Sequence, residues 1–186
     1  MTIRSDHNTG TPAGKGALGT GLRILAAGGV ALLLAGCASE SESFRPGCPN
    51  VGVLRDAGTF RMVDAQGQLQ GVAVLSDVQA ICEYSDTGVT VEATLTIRGT
   101  PADGASPGRI PVEYFVAVTD PNRNILAKQT FATGVDVPGG QTGFALEQLV
   151  QFIPAARTID ARWYEVLIGF QLPQEQLDTN RIMNER

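Results

Sequence analysis

The chain has 186 residues, of which 43% are hydrophobic, with 22 glycines, ten prolines and a formal net charge of −5. This length suits one domain of ordinary size, and the hydrophobic fraction is too high for a disordered chain. The acidic balance argues against nucleic acid or anionic lipid headgroups as a main partner.

The first 36 residues have the pattern of a secretory leader. The basic residues Arg4, Lys15 and Arg23 precede an apolar run from Ile24 to Leu34. A stable membrane-spanning helix needs about 20 apolar residues, whereas a run of this length is typical of a signal-peptide core. Removing this leader changes the net charge from −5 to −7, because it holds three basic residues and one acidic residue.

The leader ends in Leu34-Ala35-Gly36-Cys37, which resembles the lipobox of bacterial lipoproteins. The resemblance implies that the Cys37 thiol receives a diacylglycerol, that cleavage falls between Gly36 and Cys37, and that the new amino terminus is acylated, for example with palmitate. Several acyl chains together anchor a protein durably. An uncleaved anchor helix and an ordinary signal peptide with a chance cysteine remain as alternatives.

Ala38 follows the cysteine, where the family pattern would place an aspartate for retention at the inner membrane. The resemblance therefore implies a lipid-anchored protein at the inner leaflet of the outer membrane, facing the periplasm. Its implied partners are the membrane, the lipoprotein processing and sorting machinery, and an envelope protein that the sequence does not name.

Chemistry is restricted by the scarcity of histidine and lysine after the leader. The only histidine is His7, and Lys128 is the only lysine that follows the leader. Imidazole is thus missing as a general base or zinc ligand, and no S-x-x-K precedes Lys128. We expect no catalytic residue, no metal site and no cofactor. A pair of Asp or Glu residues about 5 to 10 Å apart is still possible, which leaves a carboxylate-dependent hydrolase of periplasmic glycans as the alternative function.

Cys48 and Cys82 are the two cysteines that remain once Cys37 is lipidated. An even pair in an oxidising compartment favours a disulfide over two buried free thiols. The bridge would close a loop of about 35 residues, for which chain entropy suggests roughly 4 kcal/mol of stabilisation.

From Thr59 onward, apolar residues recur with a period of two, as in half-buried strands. The clearest strand is Gly88 to Gly99. We also predict an apolar face shared by Val72, Val74, Val78, Ala80 and Cys82, and a second one shared by Phe144, Leu146, Val150 and Phe152. Thr100 to Arg109 is predicted to be a loop.

The segments Ile110 to Thr119 and Ile125 to Val137 are predicted to form a hairpin. The turn between them begins Asp120-Pro121-Asn122-Arg123-Asn124, which matches only the start of a calcium loop, so we interpret it as a turn. Pro138-Gly139-Gly140 is predicted to make the next turn.

The last predicted strand runs from Arg162 to Leu172, with Trp163 exposed or at an edge. We divide the chain into a signal peptide (1–36), a flexible tether (37–47), a sandwich domain (48–172) and a polar tail (173–186). The tail is predicted to be either one docked helical turn or a frayed end.

About seven strands without a long amphipathic helix predict an all-β fold, namely an antiparallel β-sandwich of immunoglobulin-like or fibronectin-III-like outline. The segments CPNVGVLRDAGTFRMVD and YEVLIGFQLPQEQLDTNR resemble parts of small envelope lipoproteins of Gram-negative bacteria, a likeness that implies no activity. The favoured function is a non-enzymatic binding or assembly module whose edge strand or sheet face meets another envelope protein.

Overall fold

The computed structural model of the chain describes residues 47–156 and 158–186. The predicted signal peptide, Cys37 and the tether as far as residue 46 lie outside the described residues. Eight strands and one α-helix are described, in this order: β1 (Asn50–Val53), β2 (Thr59–Val63), β3 (Leu69–Tyr84), β4 (Gly88–Pro101), β5 (Gly108–Thr119), β6 (Ile125–Val137), β7 (Gly143–Pro154), β8 (Glu165–Phe170) and α1 (Gln174–Asn184).

The strands form two four-stranded sheets. The first has the order β2-β3-β4-β7 and the second has the order β1-β8-β5-β6. Every pairing is antiparallel except that of β1 with β8, which is parallel. The predicted all-β sandwich is therefore confirmed, with eight described strands instead of about seven and one parallel pair.

The core lies between the two sheets and is made of alternating inward side chains. On β4 the inward residues Val89, Val91, Ala93, Leu95 and Ile97 are all buried, as the period of two predicted. They pack in one cluster with residues of the second sheet, among which the largest fully buried side chains are Tyr114, Phe170, Ile110 and Ile168. Burying such side chains contributes about 1.5 to 3 kcal/mol each.

The prediction for β3 is wrong in its first half. Ala73 and Leu75 are buried there, whereas Val72 and Val74 are only half-buried and lie on the other face. The pairing of β3 with β4 shifts by one residue between Leu75 and Asp77. This β-bulge exchanges the two faces, so the inward side is odd-numbered before it and even-numbered after it, as at Val78 and Cys82.

The prediction that the apolar residues of β7 share one face is confirmed, and the structure shows that this face lies outside the sandwich. Phe144, Leu146, Val150 and Phe152 are 64%, 69%, 71% and 45% exposed, while Leu149 and Ile153, which have the opposite parity, are buried. Their exposure defines a surface that we call the β7 stripe: Phe144, Leu146, Val150 and Phe152.

The predicted hairpin of β5 and β6 is confirmed, and its turn is held by Asp120. The Asp120 carboxylate accepts the backbone N–H groups of Asn122 and Asn124, both at 2.8 Å, and the side-chain amide of Asn124 at 2.8 Å. This amide, together with the two backbone N–H groups and against partial desolvation, lowers the pKa of Asp120. Pro138 to Gly140 makes the next turn, with positive φ at both glycines, a conformation that suits residues without Cβ.

The two cysteines that we expected to pair lie at disulfide-bonding distance. The Cα atoms of Cys48 and Cys82 are 5.8 Å apart, within the usual range for a bridge. Next to them, the Tyr84 hydroxyl donates to the Gly47 carbonyl at 2.7 Å and accepts the Ala161 N–H at 3.0 Å. Gly47, the last residue of the predicted tether, is therefore fixed to the sandwich.

The polar tail forms a longer helix than the single turn we considered. α1 runs for 11 residues and its side chains contact β2. None of the helices among residues 47–156 and 158–186 is long and apolar enough to span a membrane.

Candidate functional site

The free edges of the two sheets are the places where a sandwich is open to another chain, because edge strands carry unpaired N–H and C=O groups. The strand orders leave four edges, at β1, β6, β2 and β7. Three of them have features that discourage pairing, and the fourth does not.

The β2 edge is covered by the C-terminal helix. The Gln176 side chain accepts the Arg61 N–H at 3.0 Å and donates to the Arg61 carbonyl at 3.0 Å, as a neighbouring strand would. The adjacent Asn180 is 3% exposed and donates to the carbonyls of Asp56 and Thr59 at 2.9 and 2.7 Å. Covering an edge with a helix removes it as a pairing site.

The two edges of the second sheet are discouraged in other ways. β1 is only four residues long, which is too short to offer much of a template. β6 exposes Ile125 and Leu126, but it also carries Lys128, the only lysine after the leader, whose ammonium lies 4.2 Å from the centre of the Phe115 ring. Lysine on an edge strand is a common guard against pairing, because its charge would have to be desolvated.

The β7 edge lacks these features. The strand is 12 residues long, and its only charged residue, Glu147, has the parity of the inner face. The outer face carries the β7 stripe with Gln148 at its middle. A long edge strand with apolar outward side chains is the kind that pairs with another chain.

The bonding pattern also leaves half of the β7 backbone free. The Ala155 N–H donates to the Thr87 carbonyl at 3.2 Å, which extends the ladder of β7 with β4 and fixes its phase. Because hydrogen bonding alternates along an antiparallel pair, the odd-numbered residues of β7 direct their backbone N–H and C=O groups toward β4. The even-numbered residues, including those of the β7 stripe, direct their N–H and C=O groups away from the sheet. The Phe152 carbonyl accepts the side-chain amide of its own neighbour Gln151 at 2.8 Å, as expected for a group outside the ladder.

Beneath β7, a cleft of about 280 Å³ opens between the two sheets, at the side where β6 and β7 face each other. Its lining is apolar and amide-bearing: Val116, Gln129, Phe131, Gln148, Leu149, Val150 and Gln151. On the outer face a shallower depression, about 440 Å³, lies between Ile81 and Val150, with Glu92 between them in the paired strands.

Glu147 is held between the two sheets, next to the cleft beneath β7. Its carboxylate accepts the Thr133 hydroxyl at 2.7 Å and the Tyr114 hydroxyl at 3.3 Å. Burial, followed by the charge of Glu147 and this hydrogen bond, raises the pKa of Tyr114 well above its ordinary value. The Tyr114 ring also stacks on Phe131, with ring centres 5.3 Å apart. The contacts position the inner side of β7 and use both carboxylate oxygens.

A second cleft, about 230 Å³, is lined in part by Trp163, Arg162, Asp120 and Glu165. Trp163 is 65% exposed, as predicted, although it lies in a short 3₁₀ turn (Ala161–Trp163) before β8 and not in the strand. The acidic side chains that line this cleft are engaged in local contacts. Glu165 accepts the Thr119 hydroxyl at 3.4 Å, and the Asp120 carboxylate holds its own turn.

Asp160, next to this turn, is paired with Arg162 at 2.5 Å and accepts the Gly47 N–H at 3.0 Å. Burial of Asp160 favours the neutral acid. The N–H groups of Arg162 and Gly47 and the Arg162 guanidinium outweigh that effect and lower the pKa of Asp160. These bonds fix the start of the folded chain to the turn before β8.

The predicted site residues divide into two sets. Gly36 and Cys37 lie outside the described residues, and Cys48 and Cys82 are brought together. No group of three or more His, Cys, Asp or Glu side chains that would suit a metal ion occurs in the described part of the chain. The β7 edge was missed as a site because alternation shows that residues share a face but not which side of the sheet is covered.

The described residues therefore form an eight-stranded β-sandwich in which β7 is the edge strand without features that discourage pairing. No protein-family model matches the chain, and no curated protein or solved structure matches it either.

Proposed function

We propose that the protein is a lipid-anchored envelope module that binds another protein chain through the β7 edge. The observation that carries this proposal is the combination on one strand of unpaired backbone groups and the exposed β7 stripe. An added strand gains affinity from main-chain hydrogen bonds and specificity from alternate side chains. β7 offers both at five alternate residues, from Phe144 to Phe152.

The anchoring part of the proposal is supported by the lipobox resemblance of residues 34–37. Acylation at Cys37 would hold the sandwich at a membrane surface, on the periplasmic side of the outer membrane. The described part of the chain begins at Gly47, so nine residues separate it from Cys37.

The binding part is favoured over the hydrolase alternative because the carboxylates named at the two clefts are engaged in local hydrogen bonds. Glu147 is bonded to Thr133 and Tyr114, and Asp120 and Glu165 each accept local donors. Neither cleft therefore supplies an observation that favours glycan hydrolysis.

Anchoring is tested by replacing the acylated residue. We expect Cys37→Ser to abolish incorporation of a clickable fatty acid and to leave uncleaved precursor, because cleavage in this class follows lipidation. Cys48→Ser serves as the control, since that cysteine should not be acylated. Normal labelling of the Cys37→Ser chain would overturn the lipoprotein proposal.

Binding is tested by a photo-crosslinking amino acid placed at Val150 in the full chain in its own membranes. We expect a covalent protein adduct from Val150 and none from Gln66, an exposed residue of the turn between β2 and β3. Leu146→Lys in the same chain should remove the adduct, because a charge at the edge must be desolvated on pairing. If Val150 gives no protein adduct, the β7 edge is not a binding surface.

A further inference from the structure

We infer that the occupant of the β7 edge is the β7 strand of a second copy, paired antiparallel about a twofold axis at Gln148. This inference rests on the proposed function and names the partner of the same edge. It would join the first sheets of two copies into one continuous eight-stranded sheet.

The outward side chains of β7 form nearly the same series in both directions, and differ only in that Leu and Val exchange places. From Phe144 to Phe152 the outward residues are Phe, Leu, Gln, Val and Phe, centred on Gln148. In an antiparallel pair centred there, Phe144 lies opposite the partner's Phe152 and Leu146 lies opposite the partner's Val150. A twofold interface requires a surface that is complementary to itself, and this strand meets that condition.

The backbone supports the same centre. The even-numbered residues of β7 direct their N–H and C=O groups away from the sheet, and the Gln151 side-chain amide would have to release the Phe152 carbonyl before it pairs. A twofold axis at an even-numbered residue pairs each of them with another even-numbered residue. Five such residues on each strand give about ten inter-chain hydrogen bonds in directly bonded pairs. Pro154, which has no N–H, falls outside the paired segment, so its missing donor costs nothing in the interface.

Charge does not oppose this arrangement on the outer face of the sheet. The outward residues of β7 are all neutral, so no ionic side chain enters that side of the seam. The nearest charges on the outer face are Arg98, which pairs with Phe144, and Glu92, which pairs with Val150, and both lie one strand back on β4. On the inner side Glu147 lies opposite the partner's Leu149 and keeps its bonds to Thr133 and Tyr114.

The arrangement is closed. Among the described strands each copy offers one such edge, since β2 is covered by Gln176 and Asn180, β6 carries Lys128 and β1 has only four residues. One β7 therefore satisfies one other β7, and the pair has no further strand to extend. A closed twofold dimer, and not a filament, is the assembly that follows.

The test is disulfide trapping in the full, acylated chain in membranes. We expect Gln148→Cys to form a covalent dimer with itself, because the two copies of this residue face each other at the axis at a separation of about 5.5 Å between Cα atoms. Gln66→Cys, in the exposed turn between β2 and β3, is the control and should stay monomeric. The Cys48–Cys82 bridge and acylation of Cys37 leave no other thiol to compete.

The register is tested with two differently tagged chains. We expect Phe144→Cys and Phe152→Cys to crosslink when they are expressed together, and neither to crosslink when it is expressed alone. Adding Leu146→Lys to the Gln148→Cys chain should reduce trapping, whereas Gln79→Lys, which adds the same charge to β3 on the same sheet face, should not.

The outcomes separate the two proposals. If Gln148→Cys is not trapped while Val150 still gives an adduct with a different protein, the second-copy inference is overturned and the proposed function stands. If Gln148→Cys is not trapped and Val150 gives no adduct, both are overturned. Trapping in only one other register, for example from Leu146→Cys alone, would overturn the axis at Gln148.

Discussion

At the scale of single residues, Arg123 shows how a turn can be formed at a cost. It is the one described non-glycine residue with positive φ, at 64°, and it closes the turn from β5 to β6. The left-handed conformation costs a residue with Cβ about 1 to 2 kcal/mol. Its Nε atom lies 4.0 Å from the Glu165 carboxylate, but the Arg123 side chain is 84% exposed, so this ion pair repays little of that cost.

We therefore expect Arg123→Gly to stabilise the domain by about 0.5 to 1 kcal/mol. Glycine adopts this conformation without strain, and its larger conformational entropy in the unfolded chain offsets part of that gain. Chemical denaturation of the purified protein measures the change. Asn122→Gly is the matched control, since Asn122 lies in the same turn with negative φ, and it should destabilise slightly. Equal effects of the two substitutions would show that strain at Arg123 does not matter.

At the scale of elements, α1 acts as the cover of the first sheet. A helix of 11 residues with mostly polar side chains has little apolar surface to dock with. It is held instead by Asn180, which bonds two backbone carbonyls, and by the Arg61 side chain, which donates to the Asn180 amide oxygen. These bonds take the place of the strand-to-strand hydrogen bonds that β2 lacks at its free edge.

Asn180→Ala should accordingly destabilise the protein by about 1 to 3 kcal/mol, because it leaves the carbonyls of Asp56 and Thr59 without this partner in a half-buried place. Gln174→Ala, at the exposed start of the same helix, should change the stability by less than about 0.5 kcal/mol. Thermal melting of both variants makes the comparison. If Gln174→Ala costs as much as Asn180→Ala, the buried contact of Asn180 does not explain the loss, since alanine itself favours a helix.

At the scale of the whole molecule, the Cys48–Cys82 pair connects the entrance of the second sheet to the far end of β3 in the first. Its sequence separation is 34 residues, and the enclosed loop contains β1, β2 and most of β3. Tyr84 and Asp160 bind Gly47 beside it. The start of the folded chain is thus tied to both sheets.

Removing both sulfurs with Cys48→Ser/Cys82→Ser should lower the free energy of unfolding by roughly 4 kcal/mol, because the unfolded chain regains the freedom of a loop of about 35 residues. The measurement is melting of the double variant against the oxidised protein, with reduced wild-type protein as the control for the serine substitutions. Alkylation under denaturing, non-reducing conditions should label neither sulfur of the native protein. Labelling of both, or an unchanged melting temperature, would contradict the prediction.

Much of the fold could be predicted from the sequence wherever one pattern continued without interruption. The faces of β4, the hairpin of β5 and β6, and the turns at Asp120 and Pro138 were indicated by local spacing. The pairing of Cys48 with Cys82 was indicated by the number of cysteines that remain after Cys37. The prediction failed at Ser76, where a bulge reverses the alternation of β3. A prediction from a regular period of two assumes that no residue is inserted in the strand.

The sequence by itself determined the all-β class, because alternation, turn residues and β-branched side chains act locally and agree with one another along the chain. It did not determine which side of β7 is covered, since an apolar face is the same pattern whether a sheet or solvent lies against it. Only the tertiary structure decided that Leu149 and Ile153 fill the core and that the β7 stripe remains outside. The reason is that the inward side of an edge strand is set by its pairing with β4, whose buried residues already fix the orientation of the sheet.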